Sequence, residues 1–248
     1  PRDFLLLEKL YSYGLLSTPQ IHSLIFGSTQ SSAVLRRLRV LEKEKLIRRV
    51  YGLPNGKVTW VLNSKGASLI GEEPRMIHVN RNTLDHDVQI SSIRIHLENL
   101  GWVKDWVTEQ ELKKRERPRG YYDREPKQVP DAVFSFQNTL YKPFALELEL
   151  KRKSRERYKK IFRKYQSRKD LELVWYIVPN ERLGDFLAEF WVKTQIYREC
   201  LFAYTVLESL MKNPQEATLE SHKGSQKIVS LFQKKENQQY QIRTNQII

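Results

Sequence analysis

Two short stretches constrain the fold more than any others: Val129-Pro130-Asp131-Ala132-Val133-Phe134 and Ala145-Leu146-Glu147-Leu148-Glu149-Leu150-Lys151. In both, apolar residues alternate with polar or charged ones at period two, the spacing of a half-buried strand. In the second stretch Glu147, Glu149 and Lys151 project from one face, and Leu146, Leu148 and Leu150 from the other. A hairpin whose loop is centred near Leu140 sets Asp131 opposite Glu149. Two or three carboxylates and one ammonium then share one edge of a small sheet.

Clustered carboxylates repel, and each tends to take up a proton. A divalent cation relieves that repulsion, and hard oxygen ligands suit Mg²⁺ or Mn²⁺. Asp131, Glu147 and Glu149 are the expected metal ligands. The ion would polarise a phosphate and lower the pKa of a water. Lys151 would orient that water or neutralise the charge developing on phosphorus-bound oxygens. The plainer alternative is a solvated strand face with ordinary ion pairs. Pro130-Asp131 followed by Glu149-x-Lys151 resembles the motif of the PD-(D/E)xK nuclease superfamily.

The rest of the chain supplies the context. Its net charge is +14 over 248 residues, which points to a polyanionic partner. There is no apolar run of membrane-spanning length and no signal-peptide pattern. Cys200 is the single cysteine, which excludes an internal disulfide or a cysteine-rich zinc site and suits the cytoplasm.

Residues 1–73 read as a winged helix-turn-helix. Phe4, Leu5, Leu7 and Leu10 mark a first helix that stops near Gly14. Ser17-Thr18-Pro19-Gln20 starts a second with a hydroxyl cap and an early proline. A third, over 29–45, buries Val34, Leu35, Leu38 and Leu41 and spreads Arg36, Arg37 and Arg39 over its outer face. Residues 46–51 and 58–62 form a hairpin about Pro54-Asn55-Gly56, and 64–70 a short closing helix. The third helix can enter a major groove, with Arg48, Arg49 and Lys57 on the wing touching the next.

Residues 80–210 read as an α/β domain: a helix over 82–100, strands over 102–112, 129–134 and 145–151, a basic helix, a strand over 173–178, a helix over 182–198 and a strand over 201–207. His86, between Asp85 and Asp87, reads as a packing residue, since no second histidine stands at ligand spacing. Residues 113–128 are expected to be an exposed loop able to grip a DNA backbone through Lys113, Lys114, Arg115, Arg117 and Arg119. The basic helix carries Arg152, Arg155, Lys159 and Arg163, and Tyr158, Ile161, Phe162 and Tyr165 give it a packed face. Bound phosphate would relieve its self-repulsion. Residues 211–248 are expected to be a polar, loosely packed tail, with Ile228, Val229, Leu231 and Phe232 docking a short segment. Helix, three strands, helix and strand, with the acidic residues on the second and third strands, is the order of a PD-(D/E)xK fold. The expected fold class is therefore α/β, a winged helix-turn-helix followed by a restriction-endonuclease-like domain.

The chain as a whole resembles the replication-relaxation family of plasmid and mobile-element proteins. The resemblance runs from Arg2-Asp3-Phe4-Leu5 and Leu16-Ser17-Thr18-Pro19-Gln20-Ile21 through Arg36-Arg37-Leu38-Arg39-Val40-Leu41 and Trp60-Val61-Leu62-Asn63-Ser64-Lys65-Gly66. It continues over Leu84-Asp85-His86-Asp87-Val88, Pro130-Asp131-Ala132 and Leu146-Glu147-Leu148-Glu149. It implies a DNA-directed role in replication, relaxation or mobilisation. Where members tend to carry Glu-x-Asp, this chain has Glu147-x-Glu149, and members often lack the following lysine. Two frames for the metal follow, Glu147 with Glu149 or Glu149 with Lys151. Three functions compete: a Mg²⁺- or Mn²⁺-dependent endonuclease or nickase, a non-catalytic origin-binding or regulatory protein on a degenerate nuclease fold, and a relaxase with a tyrosine nucleophile among Tyr121, Tyr122, Tyr158 and Tyr165. The expected partner is double-stranded DNA, joined by a second copy of the chain or by mobilisation and replication proteins, and not a membrane.

Overall fold

A computed structural model describes residues 2–53, 56–74, 79–115, 128–137, 139–195 and 200–232. It divides into two compact units, Pro1–His96 and Leu97–Ile248.

The first unit opens with helix α1 (Arg2–Tyr13), which buries Leu6, Leu7, Leu10 and Tyr13. Phe4 and Leu5, expected on the packed face, are each 41% exposed, because the buried stripe runs through residues one turn further on. Gly14 ends the helix at φ +79°, a conformation that favours glycine. Strand β1 (Leu15–Ser17) follows, and then α2 (Thr18–Ile21), opened by a capping box. Ser17 N–H donates to Gln20 Oε1 at 2.7 Å and Gln20 N–H to Ser17 Oγ at 3.4 Å. A wide π-type turn, His22–Phe26, closes on the Gly27 N–H, which reaches the His22 carbonyl at 3.0 Å.

Helix α3 (Ser31–Lys43) buries Val34, Leu38 and Leu41. Strands β2 (Ile47–Val50) and β3 (Thr59–Leu62) pair antiparallel, and β1 adds to the far side of β3. The hairpin's turn residues Pro54 and Asn55 lie outside the described residues. Helix α4 (Ser64–Leu69) closes the unit. A Cβ on its Gly66 would lie 2.3 Å from the Leu46 carbonyl oxygen and 2.7 Å from Leu62 Cδ1. Backbone cannot yield as a side-chain tip can, so Gly66→Ala is expected to destabilise the protein by about 3 kcal/mol. A urea titration followed by circular dichroism measures it, and an unchanged midpoint contradicts it.

Helix α5 (Leu84–Asn99) was expected to open the second domain, yet its first three turns are bonded to the first unit. Gln20 Nε2 donates to the Val88 carbonyl at 2.8 Å, Ser91 Oγ to the Leu15 carbonyl at 3.2 Å, and Arg94 Nη1 to the Ser12 carbonyl at 2.7 Å. Leu84 packs with Leu15, Leu53 and Val61.

The second unit is built on a seven-stranded sheet. Its strands are β4 (Val103–Thr108), β5 (Ala132–Phe136), β6 (Phe144–Leu148), β7 (Leu173–Val178), β8 (Leu201–Val206), β9 (Thr218–Ser221) and β10 (Gly224–Lys227), in spatial order 10-9-8-7-6-5-4. The ladder is parallel only between β6, β7 and β8. Parallel neighbours need crossovers, here helices α7 (Arg155–Gln166) and α8 (Glu181–Lys193). Tyr158, Phe162 and Tyr165 of α7 and Leu187 and Trp191 of α8 pack on Val174, Tyr176 and Phe202. The alternate sheet residues Phe134, Phe136 and Trp175 meet one another within 6.1 Å. All six residues of β7 are buried, as a strand covered on both faces requires.

Two segments differ from expectation. The strand predicted over 102–112 ends at Thr108, and helix α6 (Glu109–Arg115) takes over. Thr108 N–H donates to Glu111 Oε2 at 3.0 Å and Glu111 N–H to Thr108 Oγ1 at 3.4 Å, a capping box that starts a helix. Lys113, Lys114 and Arg115 are thus helical, while Arg117 and Arg119 lie outside the described residues. The expected tail is folded as far as Phe232: after α9 (Leu207–Lys212) come β9 and β10, which were not expected, and Ile228 and Leu231 are buried, as expected of a docked segment. The Phe232 ring lies 5.6 Å from Trp102 and 5.3 Å from Phe136. Residues 233–248 lie outside the described residues. Among the described residues no helix is long and apolar enough to cross a membrane.

Candidate functional site: a carboxylate cluster and two basic surfaces

Strands β5 and β6 pair Ala132 with Leu146, Val133 with Ala145 and Phe134 with Phe144. Continued by one residue, that register sets Asp131 beside Glu147, not Glu149. A loop centred near Leu140 predicted a pairing two residues away. The stacked rings of Phe134 and Phe144, 6.0 Å apart, pin the observed one. A shift of two keeps every side chain on its face, so the acidic groups still gather.

Asp131 Oδ2 accepts the Leu148 N–H at 2.7 Å. Glu147 is buried, and its Oε1 accepts the Tyr165 hydroxyl. Burial first, and then the charge of Asp131, pushes the Glu147 carboxyl up to about 8. Glu149 continues the ladder through its N–H to the Ile177 carbonyl at 2.9 Å, and its carboxyl is also raised by burial. Three acids, two of them buried, stand where two strands end, and buried clustered acids hold protons that exposed ones release.

The ammonium of the cluster belongs to Lys153. Its Nζ donates to Glu149 Oε2, and its N–H donates to the Tyr158 hydroxyl at 2.9 Å. Lys151, expected in that role, is exposed, because β6 stops at Leu148 and the chain bends through Leu150 and Lys151. A signal for Lys153 was present. Ser154 caps α7 by accepting the Arg157 N–H at 3.3 Å, so the residue before it turns back to the strand end. Tyr158 and Tyr165, considered as nucleophiles, are fully buried, with phenols pushed up by that burial. Neither can reach a DNA backbone as a phenolate. Tyr121 and Tyr122 lie outside the described residues. Among the described residues no group of three or more His, Cys, Asp or Glu side chains is arranged to hold a metal ion. His86 Nδ1 lies 3.3 Å from Asp87.

The basic residues separate into two kinds. On the first unit Arg37 is tied to Asp3, with Nε to Oδ1 at 2.9 Å. Arg49 is tied to Glu42 at 2.9 Å and lies 5.5 Å over the Trp60 ring. Both therefore serve the fold first. Arg36, Arg39, Arg48 and Lys57 are exposed. On the second unit Arg152, Arg155 and Arg163 are exposed and Lys159 is half-buried along α7.

A mixed α/β protein with two sheets, an acidic cluster at the end of one and the basic helix α7 beside it, is the class these observations define. The chain belongs to the replication-relaxation family, whose sequence profile matches residues 7–169. Membership supports a role in the replication or relaxation of plasmid or mobile-element DNA. No curated protein and no solved structure matches the chain.

Proposed function

We propose that this chain is a DNA-binding protein of a plasmid or mobile element whose second unit is a metal-dependent DNA endonuclease or nickase. The observation that carries the reading is the Asp131–Glu147–Glu149 cluster with the Lys153 ammonium. The PD-(D/E)xK comparison is supported by three antiparallel strands, a crossover helix and a parallel strand, with Asp131 just before β5 and Glu147 next to last in β6. The winged helix-turn-helix reading is supported by α2, α3 and the β2–β3 hairpin, with Arg36 and Arg39 exposed on α3.

Mg²⁺ is commonly held by one or two carboxylates, with waters and substrate phosphate completing its shell. Asp131 and Glu147, neighbours in register, fit a two-carboxylate site of this kind, not a three-ligand cage. A Mg²⁺ or Mn²⁺ ion there would polarise the scissile phosphate and lower the pKa of an attacking water. The Tyr165 hydroxyl fixes one oxygen of Glu147. Asp131 is oriented by the Leu148 N–H. Glu149 holds Lys153 where its ammonium can donate to a phosphate oxygen as negative charge grows on it.

The test is a nicking assay on supercoiled plasmid carrying the protein's own element DNA, with Mg²⁺ or Mn²⁺ against EDTA. Open circles formed only with metal are expected. Intact supercoils with DNA binding preserved would favour the second reading, a non-catalytic origin-binding or regulatory protein. The Lys153–Glu149 ion pair and the lack of a three-ligand group among the described residues favour that reading.

For the first unit, duplex affinity is expected to fall linearly with log salt, by a slope of about 0.9 per phosphate contact. Replacing Arg36 and Arg39 together by alanine should reduce that slope by roughly two. Arg37→Ala should cost stability in place of slope, because Arg37 holds Asp3. Fluorescence anisotropy across a salt series, with a thermal melt of each variant, separates the two, and an unchanged slope contradicts the assignment of α3.

A further inference from the structure

The crossover helices α7 and α8 leave a cleft of about 380 Å³ between them. Arg155, Lys159 and Arg163 line one wall at four-residue spacing, hence above one another on one helix face. Phe190 and Lys193 stand on the other wall, and Glu156 is the single carboxylate in the lining. The Phe190 ring is stacked on Phe186, centroids 5.7 Å apart and planes 13° from parallel. The Arg152 guanidinium lies 3.7 Å over the Phe186 ring. Both rings are half-buried, so each keeps part of its surface in solvent. The strip starts beside the acidic cluster, since Arg152 precedes the Lys153 that holds Glu149. From Arg155 to Arg163 it runs about 12 Å at 1.5 Å per residue.

Cations in a row answer a chain of phosphates. A half-exposed ring beside them, Phe190, answers something else. A duplex offers its phosphates but keeps its base faces inside the stack, so this ring gains nothing from it. An unpaired strand offers both, and a basic groove interleaved with aromatic rings is how proteins hold one.

We propose that the α7–α8 cleft binds a single-stranded segment of DNA, its phosphates on Arg155, Lys159 and Arg163 and a base on Phe190, whose ring Phe186 backs. The proposal rests on the reading that the second unit acts on DNA. It adds that the strand led along α7 to the carboxylate cluster is unpaired there.

The test uses the full chain and a fluorescein-labelled oligothymidylate of about a dozen nucleotides, a duplex of the same length and an abasic oligomer. Lys159→Glu with Arg163→Glu should weaken oligothymidylate binding at least about tenfold and lower its salt slope by roughly 1.4, two contacts at 0.7 each for a single strand. Duplex binding should change less than about twofold, since its contacts lie on the first unit. Phe190→Ala should cost about tenfold on oligothymidylate and nothing on the abasic oligomer, which has no base to stack. The charge-reversed chain changes one exposed and one half-buried residue and no core side chain, so it decides the matter even if Phe190→Ala folds poorly. Unchanged oligothymidylate affinity in that chain overturns the proposal, and so does an equal loss on duplex. The nicking assay is read separately: a chain that binds single strands through the cleft yet never nicks loses the nuclease reading and keeps this one, and the reverse result does the opposite.

Discussion

Asp131→Asn is expected to lower metal-dependent nicking by about 10³-fold or more, roughly 4 kcal/mol of transition-state stabilisation. The amide oxygen still accepts the Leu148 N–H that Asp131 Oδ2 accepts at 2.7 Å, so the strand end keeps its geometry. Alanine would leave that N–H without its acceptor and cost a further 1–3 kcal/mol or so of stability, which is why the asparagine variant is the cleaner one. Only the charge is removed. With it goes one of the two carboxylates that neighbour each other in register. Binding to duplex should be unaffected, because the basic residues of α3 lie in the other unit. Undiminished nicking by Asp131→Asn would place the chemistry elsewhere.

Glu147→Gln is expected to stabilise the protein in alkaline solution while abolishing the same activity. The Glu147 carboxyl is raised from 4.5 to about 8, by burial first and by the Asp131 charge second. The folded state therefore binds this proton more tightly than the unfolded chain does. That contribution is fully present below about pH 4.5 and is lost as pH rises through about 8. Each tenfold change in proton affinity is about 1.4 kcal/mol, so the loss amounts to several kcal/mol on the alkaline side. Glutamine stays neutral and keeps an oxygen for the Tyr165 hydroxyl. Urea melts at pH 5.5 and 8.5 should show wild type weakening between them and the variant weakening less, by the smaller amount that the raised Glu149 carboxyl leaves. Mg²⁺ added at pH 8.5 should restore the wild type and leave the variant unmoved. A wild-type midpoint that ignores pH would mean that Glu147 does not carry this strain. A midpoint that falls as expected would mean that the native glutamate lowers alkaline stability in exchange for function.

Local signals were the ones that could be read from the sequence. The Ser17 capping box, the turn at Gly14, the β2–β3 pair and the wholly apolar β7 each announce themselves within a few residues. The Thr108-x-x-Glu111 box is equally local, but the alternation up to Thr108 reads as more strand and masks it. What could not be read were choices made by distant partners. Loop length alone set the β5–β6 register two residues away from the one that the Phe134–Phe144 pair imposes. The acidic residues were found by their alternation. The lysine was not, because the E-x-K spacing presumes a strand running to residue 151, and the strand ends at Leu148. Nothing in the pattern of arginines tells which will be captured by a carboxylate: Arg37 and Asp3 are 34 residues apart. Polar composition likewise hid the β9–β10 pair, whereas the apolar Ile228 and Leu231 that follow it are buried as their composition suggests.

The meeting of Phe232 with Trp102 has a consequence for how the protein is made. The rings lie 5.6 Å apart in space and more than half the chain apart in sequence. Emerging from a ribosome, the first unit can assemble while the second is still being translated. The second can pair β4 with β5 early, but Trp102 and Phe136 wait for Phe232, because long-range closure comes late and slowly. During that interval both rings are open to the wrong partner. A chain released early, or slowed between β8 and β10, would present them to its neighbours, so aggregation of this protein should track the timing of synthesis more closely than the stability of the finished fold.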